Sequence, residues 1–264
     1  MISAEISVLD NDRFLGPAQT VDVQQVFGGH FIAQALLGAQ HTAPDGQLAH
    51  SMHAYFLKPG DSSKDIEYQV ERVRDGRSTC TRQVIARQSG SETFRLTASF
   101  SSPRAESEHI YEPAPSVPHY ETLAAYQFQN DWAWGTGLEC RYVNVPGESE
   151  PGGSQVQVWM RIDDTLAQQL QSPNVVLAYL SDATVGDSVF MKKGWSFEDP
   201  LTRYLSLDHS IWFHRVAPVN EWLLFEQSAE WIGAGRALSR TRVFSESGDL
   251  IATCAQEALA YIKS

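Results

Sequence analysis

The stretch Ser206–Trp222 brings a hydroxyl, a carboxylate and two imidazoles together, reading Ser-Leu-Asp-His-Ser-Ile-Trp-Phe-His-Arg-Val-Ala-Pro-Val-Asn-Glu-Trp. Its alternation predicts a strand with Leu207, His209, Ile211 and Phe213 on one face. Ser206, Asp208, Ser210, Trp212 and His214 fall on the other. Side chains of these types hold water and move protons, which a plain core strand has no need to do. Two more polar residues stand in apolar surroundings. Asp182 is the only carboxylate in the run Val175–Leu180 and its immediate continuation, and Gln256 lies within the strand-like segment Leu250–Ile262. A lone carboxylate is costly to bury without partners. Each residue also has a plainer reading: Asp182 as a helix residue reaching solvent, Gln256 as a strand-face amide, Ser206 as a capping or edge hydroxyl.

The elements that must position these groups occur twice. His50-Ser-Met-His-Ala-Tyr-Phe-Leu-Lys-Pro-Gly-Asp has the same cadence of His, aromatic, base and Pro. It sets His53 against His209, Phe56 against Trp212 and Lys58 against His214, each 156 residues apart. Thr97 and Thr253 keep that separation, and Gly76-Arg77 matches Gly235-Arg236 at 159, a slip that bulges or turn lengths can absorb. In the first half, Thr20–Val26 alternates as a strand. Gly28-Gly29 then opens a helix whose Phe31, Ile32, Ala35, Leu36 and Ala39 share a broad apolar face. Strands are expected at Leu48–Lys58, Asp65–Arg74, Ser78–Gln88 and Glu92–Ser101, separated by Pro-Gly-Asp, Asp-Gly-Arg and Ser-Gly-Ser turns. The Pro-rich Pro103–Pro118 reads as an extended linker.

The pattern restarts with strands at Leu138–Val145 and Gln155–Ile162, a short helix at Asp163–Gln171, an apolar helix at Asn174–Asp187 and a loop at Gly186–Tyr204. Four strands follow, at Leu205–Arg215, Glu221–Trp231, Arg236–Ser245 and Leu250–Ile262. Helix and meander without repeated βαβ units is an α+β pattern. A long helix wrapped by an antiparallel sheet is the hot-dog arrangement, and two tandem copies make a double hot dog. The expected organisation is a repeat over 1–102, a linker over 103–135 and a second repeat over 136–264 that carries the chemistry.

Net charge −12 argues against a nucleic-acid partner. The clustered Arg72, Arg74, Arg77 and Arg82 could still hold an anionic ligand's phosphates. An apolar fraction of 42% suits a folded core, and no apolar run approaches the roughly 18 residues of a membrane span. Cys80, Cys140 and Cys254 have no zinc or redox spacing and read as reduced thiols; with no basic leader ahead of an apolar stretch, a cytoplasmic protein is expected. There is no Gly-x-Ser-x-Gly elbow, His-Glu-x-x-His or P-loop.

Longer motifs carry a resemblance over nearly the whole chain, weakest in Pro103–Ser154. Gln25-Val-Phe-Gly-Gly-His-Phe-Ile-Ala-Gln-Ala-Leu, the His50–Asp61 stretch and Arg74-Asp-Gly-Arg-Ser look like the first half of acyl-CoA thioesterase II, the TesB type. Leu180-Ser-Asp182, Leu207-Asp-His-Ser-Ile-Trp-Phe-His-Arg215 and Asn220-Glu-Trp-Leu-Leu224 look like its second half. The resemblance implies a double hot dog that hydrolyses fatty acyl-CoA to free acid and coenzyme A, with no metal or bound cofactor. It implies a catalytic set of Asp182, Ser206 and Gln256, although that family commonly has Thr where this chain has Ser206.

Such a set suits the chemistry. A thioester carbonyl is electrophilic enough for an oriented water, a carboxylate can take the water's proton, and an amide and a hydroxyl can hold it. Backbone amides of Gly28 and Gly29 could polarise the carbonyl; a turn that lets the helix pack closely is the plainer reading of that pair. Lys58, Arg72, Arg74 and Arg77 are the candidates for the coenzyme A phosphates. His50, His53, His209 and His214 read as structural hydrogen-bonding residues where the halves meet. Gln256 aligns with Phe100, and Asp182 falls near Leu37, so one site per chain is expected. An enoyl-CoA hydratase of the same fold and a non-catalytic acyl-CoA binding protein are the alternatives. The fold suggests a homo-oligomer by analogy.

Overall fold

Period-two alternation of apolar and polar residues writes out most of the molecule as strands. The computed structural model describes residues 5–18, 25–104, 112–126, 137–145, 155–164, 172–196, 199–216 and 220–263. In the first half these form β1 (Ser7–Asp10), β2 (Arg13–Gly16), helix α1 (Gly28–His41), β3 (Leu48–Phe56), β4 (Ile66–Asp75), β5 (Thr79–Gln88) and β6 (Ser91–Ser101). The second half has β7 (Leu138–Tyr142), β8 (Gln155–Ile162), α2 (Pro173–Ser181), α3 (Asp187–Lys193), β9 (Thr202–Ser206) and β10 (Asp208–Phe213). It closes with β11 (Leu223–Gly233), β12 (Arg236–Ser245) and β13 (Leu250–Ile262). The strands join in one antiparallel sheet, ordered β1-β2-β4-β5-β6-β3-β10-β13-β12-β11-β8-β7, with β9 also on β13.

The halves meet where β3 pairs with β10. Helix α1 lies across β3–β6 and against α2, while α3 lies on β8, β11 and β12. Buried Ile32, Leu36, Met52, Phe94, Phe100, Val158, Leu177, Leu180, Ile211 and Phe225 belong to one continuous core. Full burial of each such side chain contributes about 1.5–3 kcal/mol. The arrangement is the double hot dog expected from the sequence.

Helix α1 ends on a buried arginine. Arg82 donates through Nη2 to the Thr42 carbonyl at 2.8 Å and through Nε to Thr42 Oγ1 at 2.9 Å. Nη1 reaches the Arg74 carbonyl at 3.0 Å. The cation thereby satisfies the Thr42 carbonyl at the negative end of the helix and ties it to β4. Arg82 is fully buried by these bonds and is not available to a phosphate.

Three elements depart from the sequence expectation. The helix expected over Asn174–Asp187 breaks after Ser181, because Ser181 and Asp182 turn back on the preceding carbonyls. The Asp182 amide donates to the Tyr179 carbonyl and the Ala183 amide to the Leu180 carbonyl, while Ser181 Oγ lies 2.8 Å from the Ala178 carbonyl oxygen. Such i−3 backbone bonds tighten the last turn and close the helix. The expected loop Gly186–Tyr204 holds the short α3, closed by Gly194 in the left-handed region at φ 61°. The strand expected over Leu205–Arg215 is interrupted at Leu207. Most of the short helix expected at Asp163–Gln171, the loop Pro146–Ser154 and most of Thr20–Val26 lie outside the described residues. The described part of the linker is docked: Tyr120 stacks on Trp222 at 4.9 Å, and Trp159 Nε1 donates to the Pro118 carbonyl at 3.1 Å.

The start of α3 buries a second carboxylate. Tyr142 donates its hydroxyl to Asp187 Oδ2 at 2.6 Å, and burial pushes the Asp187 carboxyl up to about 7. A carboxyl raised above its unfolded value of 3.8 favours the fold below that pH, and the contribution is lost as pH rises through about 7. Asp187→Asn keeps an acceptor for Tyr142 and removes the charge. Its melting temperature should exceed the parent's at pH 8 by on the order of 5 °C and converge with it near pH 4. An equal gap at both pH values would show that titration of Asp187 is not the cause.

Candidate active site

Asp182 caps α2 and points at the N-terminus of α1. An ideal Cβ on Gly28 would stand 2.6 Å from Asp182 Oδ2, and one on Gly29 would stand 2.7 Å from the Tyr179 carbonyl oxygen. The two glycines are therefore what allow α1 to start against the end of α2. Burial raises the Asp182 carboxyl to about 7, against the opposing pull of the Gly29 amide and the Gln256 side chain. Its other oxygen, Oδ1, is buried and accepts no hydrogen bond of ordinary geometry among the described residues. It lies 3.9 Å from His209 Nδ1. A buried carboxylate oxygen left bare is costly, which marks the spot where water or a ligand belongs.

Gln256 reaches the same place from β13, where it is buried. Its Oε1 lies 2.6 Å from His209 Nδ1, and its Nε2 donates to Ser206 Oγ at 2.8 Å. Ser206 arrives through the break at Leu207. Along β10, Ser210 faces Ala255 and Ile211 faces Cys254; along β9, Ser206 faces Ala258. The pairing has slipped by one residue between the two strands. A one-residue slip turns a side chain to the other face of the sheet. The slip moves Ser206 from the outer face, where strict alternation put it, to the inner face shared by Gln256 and Ala258. Asp208 stays behind and accepts the Glu257 amide at 2.8 Å.

The histidines separate. His50, His53 and His214 are exposed and bond Ser99, Ser210 and Thr253 across the outer face, at 2.9, 3.0 and 2.9 Å. His209 is buried between Ser181 and Gln256. The match of His53 to His209 is therefore one of sequence cadence. By strand pairing, Met52 opposite Ala98 corresponds to Ile211 opposite Cys254, a separation of 159. Phe100 opposite Cys80 does correspond to Gln256 opposite Ser239. An apolar pair in the first half thus stands where the second half has two polar side chains.

The basic candidates do not gather. Lys58 lies just past Phe56, whose ring sits 3.0 Å from the Cβ position of Gly28, and it donates to Ser91 Oγ at 2.7 Å. Arg72 pairs with Asp12 at 2.9 Å. Arg74 and Arg77 flank the β4–β5 turn, beside the Arg82 that holds Thr42. That is the far end of α1, about 20 Å from Gly28 for a helix of this length. A cluster of arginines in the sequence says nothing about which end of the helix it occupies. Two neighbours were not singled out in the sequence. Ser181 follows Leu180 and bonds His209, and the Tyr204 ring packs where a Cβ on Gly186 would stand 2.9 Å from it. Tyr204 lies two residues before Ser206 in the same strand, and that spacing was the available signal.

Comparison with known proteins identifies the family of the chain. Residues 16–101 match the acyl-CoA thioesterase N-terminal domain, and residues 113–260 match the acyl-CoA thioesterase C-terminal domain. The chain is 32% identical over 269 residues to acyl-CoA thioesterase 2 of Haemophilus influenzae, covering 97% of this chain and 94% of that one. It is 31% identical to acyl-coenzyme A thioesterase 8 of Homo sapiens, covering 97% and 86%. Among solved structures it is similar to the acyl-CoA thioesterase II TesB2 of Mycobacterium marinum, with a TM-score of 0.84, 33% identity and coverage of 99% and 97%.

Proposed function

The chain belongs to the TesB-type acyl-CoA thioesterase family and is an acyl-CoA thioester hydrolase, and from that premise we propose that Asp182, Ser206 and Gln256 activate the attacking water. The observation that carries the assignment is the bare Oδ1 of Asp182, buried beside Gln256 and His209. A water there donates one hydrogen to Oδ1 and is fixed by the Gln256 amide and the Ser206 hydroxyl. As its oxygen bonds to the thioester carbonyl carbon, Asp182 takes the proton. The tetrahedral intermediate then expels the sulfur of coenzyme A, and Asp182 returns the proton to that thiolate. The Gly29 amide already serves the Asp182 carboxylate. The Gly28 amide, at the same helix end, is the donor assigned to the carbonyl oxygen.

The substrate is a fatty acyl-CoA, and Lys58 is the base nearest this end of α1 among the four candidates. The same reading makes the protein a cytoplasmic homo-oligomer. Self-association is supported by the exposed aromatics Tyr55 and Trp212 on the outer face of β3 and β10.

A single turnover in ¹⁸O-water with enzyme in excess tests direct attack. One ¹⁸O should appear in the released acid. Label appearing in Asp182, with none in the first-turnover acid, would mean that the carboxylate attacks instead. Ser206 supplies a second check. Ser206→Ala leaves the Gln256 N–H without its acceptor and should lower kcat roughly 10–100-fold, while Ser206→Thr keeps the hydroxyl and should stay within a few-fold. Full activity of Ser206→Ala would remove the hydroxyl from the set.

A further inference from the structure

We infer that His209 is a positioning residue, which holds the Gln256 amide in the one orientation that turns its NH₂ toward Ser206 and the attacking water. The inference rests on the assignment of Gln256 to the water and extends it one residue inward. Its basis is the sequence of contacts Ser181 Oγ to His209 Nε2 at 2.9 Å, His209 Nδ1 to Gln256 Oε1 at 2.6 Å, and Gln256 Nε2 to Ser206 Oγ at 2.8 Å. All three residues that precede Ser206 in this row are buried, so water does not compete for their hydrogen bonds.

Hydrogen-bond polarity leaves little freedom in such a row. An amide oxygen only accepts, so Nδ1 must carry the proton that meets Gln256 Oε1. Burial holds the imidazole neutral by pulling its pKa down to about 4. With Nδ1 protonated, Nε2 is an acceptor, and the Ser181 hydroxyl must donate to it. Ser181 also lies 2.8 Å from the Ala178 carbonyl, so its single hydrogen has two destinations. A donation to Ala178 would leave Nε2 as the protonated nitrogen and would demand the opposite amide orientation. In that orientation Gln256 would turn its oxygen toward Ser206 and the water, and the water would lose a donor. The tautomer of His209 thus decides which end of Gln256 the site presents. Asp182 Oδ1, at 3.9 Å from Nδ1, stays free for the water as long as Nδ1–H is engaged by Gln256.

The experiment is a double-mutant cycle with a spectroscopic control. His209→Phe fills the space without a donor, and His209→Asn restores an N–H near the position of Nδ1. His209→Phe should lower kcat roughly 10–100-fold with KM within a few-fold, because a small misplacement of a reacting group costs that much. His209→Asn should recover most of the loss. In a Gln256→Ala background, His209→Phe should have no further effect on kcat, since His209 acts only through Gln256. Losses that multiply in the double variant would overturn the inference while leaving the role of Gln256 intact. Full activity of Gln256→Ala alone would instead overturn the assignment beneath it. ¹⁵N spectra of the unaltered protein should show His209 protonated at Nδ1 and bare at Nε2 from pH 6 to 8, identified by their loss in His209→Asn. A proton on Nε2 would refute the inference whatever the activities of the variants.

Discussion

Asp182→Asn should lower kcat by roughly 10²–10⁴, the usual contribution of a general base, while KM moves little. Asparagine keeps the shape of the side chain and an oxygen that can face the Gly29 amide, but it cannot take a proton from water. The fold should survive, because burial already pushes the carboxyl up to about 7 and a neutral amide carries no charge to desolvate. The same raised value sets the pH dependence. The base works as the carboxylate, so kcat/KM of the parent should fall as pH drops below about 7. His209 stays neutral through this range and adds no second limb. Asp182→Asn should lose the limb along with the rate. Gln256→Ala should cost comparably, and the double variant should lose much less than the product of the two factors, because both residues act on one water. Hydrolysis by folded Asp182→Asn within a few-fold of the parent would end the assignment.

The long elements were legible because each has a single period and clear punctuation. Strands β3 to β6 follow their alternation and end at Pro-Gly and Gly turns, and α1 starts at Gly28 as its apolar face requires. The residues of the candidate set were legible by motif. What was not legible is how they reach one another. Strict alternation puts Ser206 on the face opposite His209, and only the slip at Leu207 brings its hydroxyl to Gln256. A bulge depends on two strands pairing, and the sequence of one strand does not record it. The histidine echo misled for a related reason. His50, His53 and His214 follow the visible cadence and lie outside, whereas the register of β10 turns His209 inward. Arg82 shows the same limit: a cation in a basic cluster proved to be the cap of α1, because helix and strand meet there only in three dimensions.

Gly28→Ala should remove most of the activity from a protein that is otherwise intact. The backbone at Gly28 is outside the left-handed region, so alanine meets no conformational penalty there. Within a helix alanine is favoured over glycine by about 0.5–1 kcal/mol. The obstacle is the carboxylate. The new methyl would stand 2.6 Å from Asp182 Oδ2 and 3.0 Å from the Phe56 ring, well inside contact distance. Phe56 ends a strand held on both sides, by β10 and β6, whereas the Asp182 side chain can rotate, so Asp182 is the group that yields. Its Oδ1 then leaves the position beside Gln256 and His209 where the water is held. A displacement of about 1 Å at a reacting group costs on the order of 10²-fold in rate. The loss should fall on kcat, with the melting temperature within a few degrees of the parent's. Gly38→Ala is the control. It adds the same methyl to the same helix but meets Phe14 at 3.4 Å, an ordinary contact, and it should leave turnover unchanged. If Gly28→Ala and Gly38→Ala are equally active, the packing of Asp182 against the start of α1 does not hold the base in place.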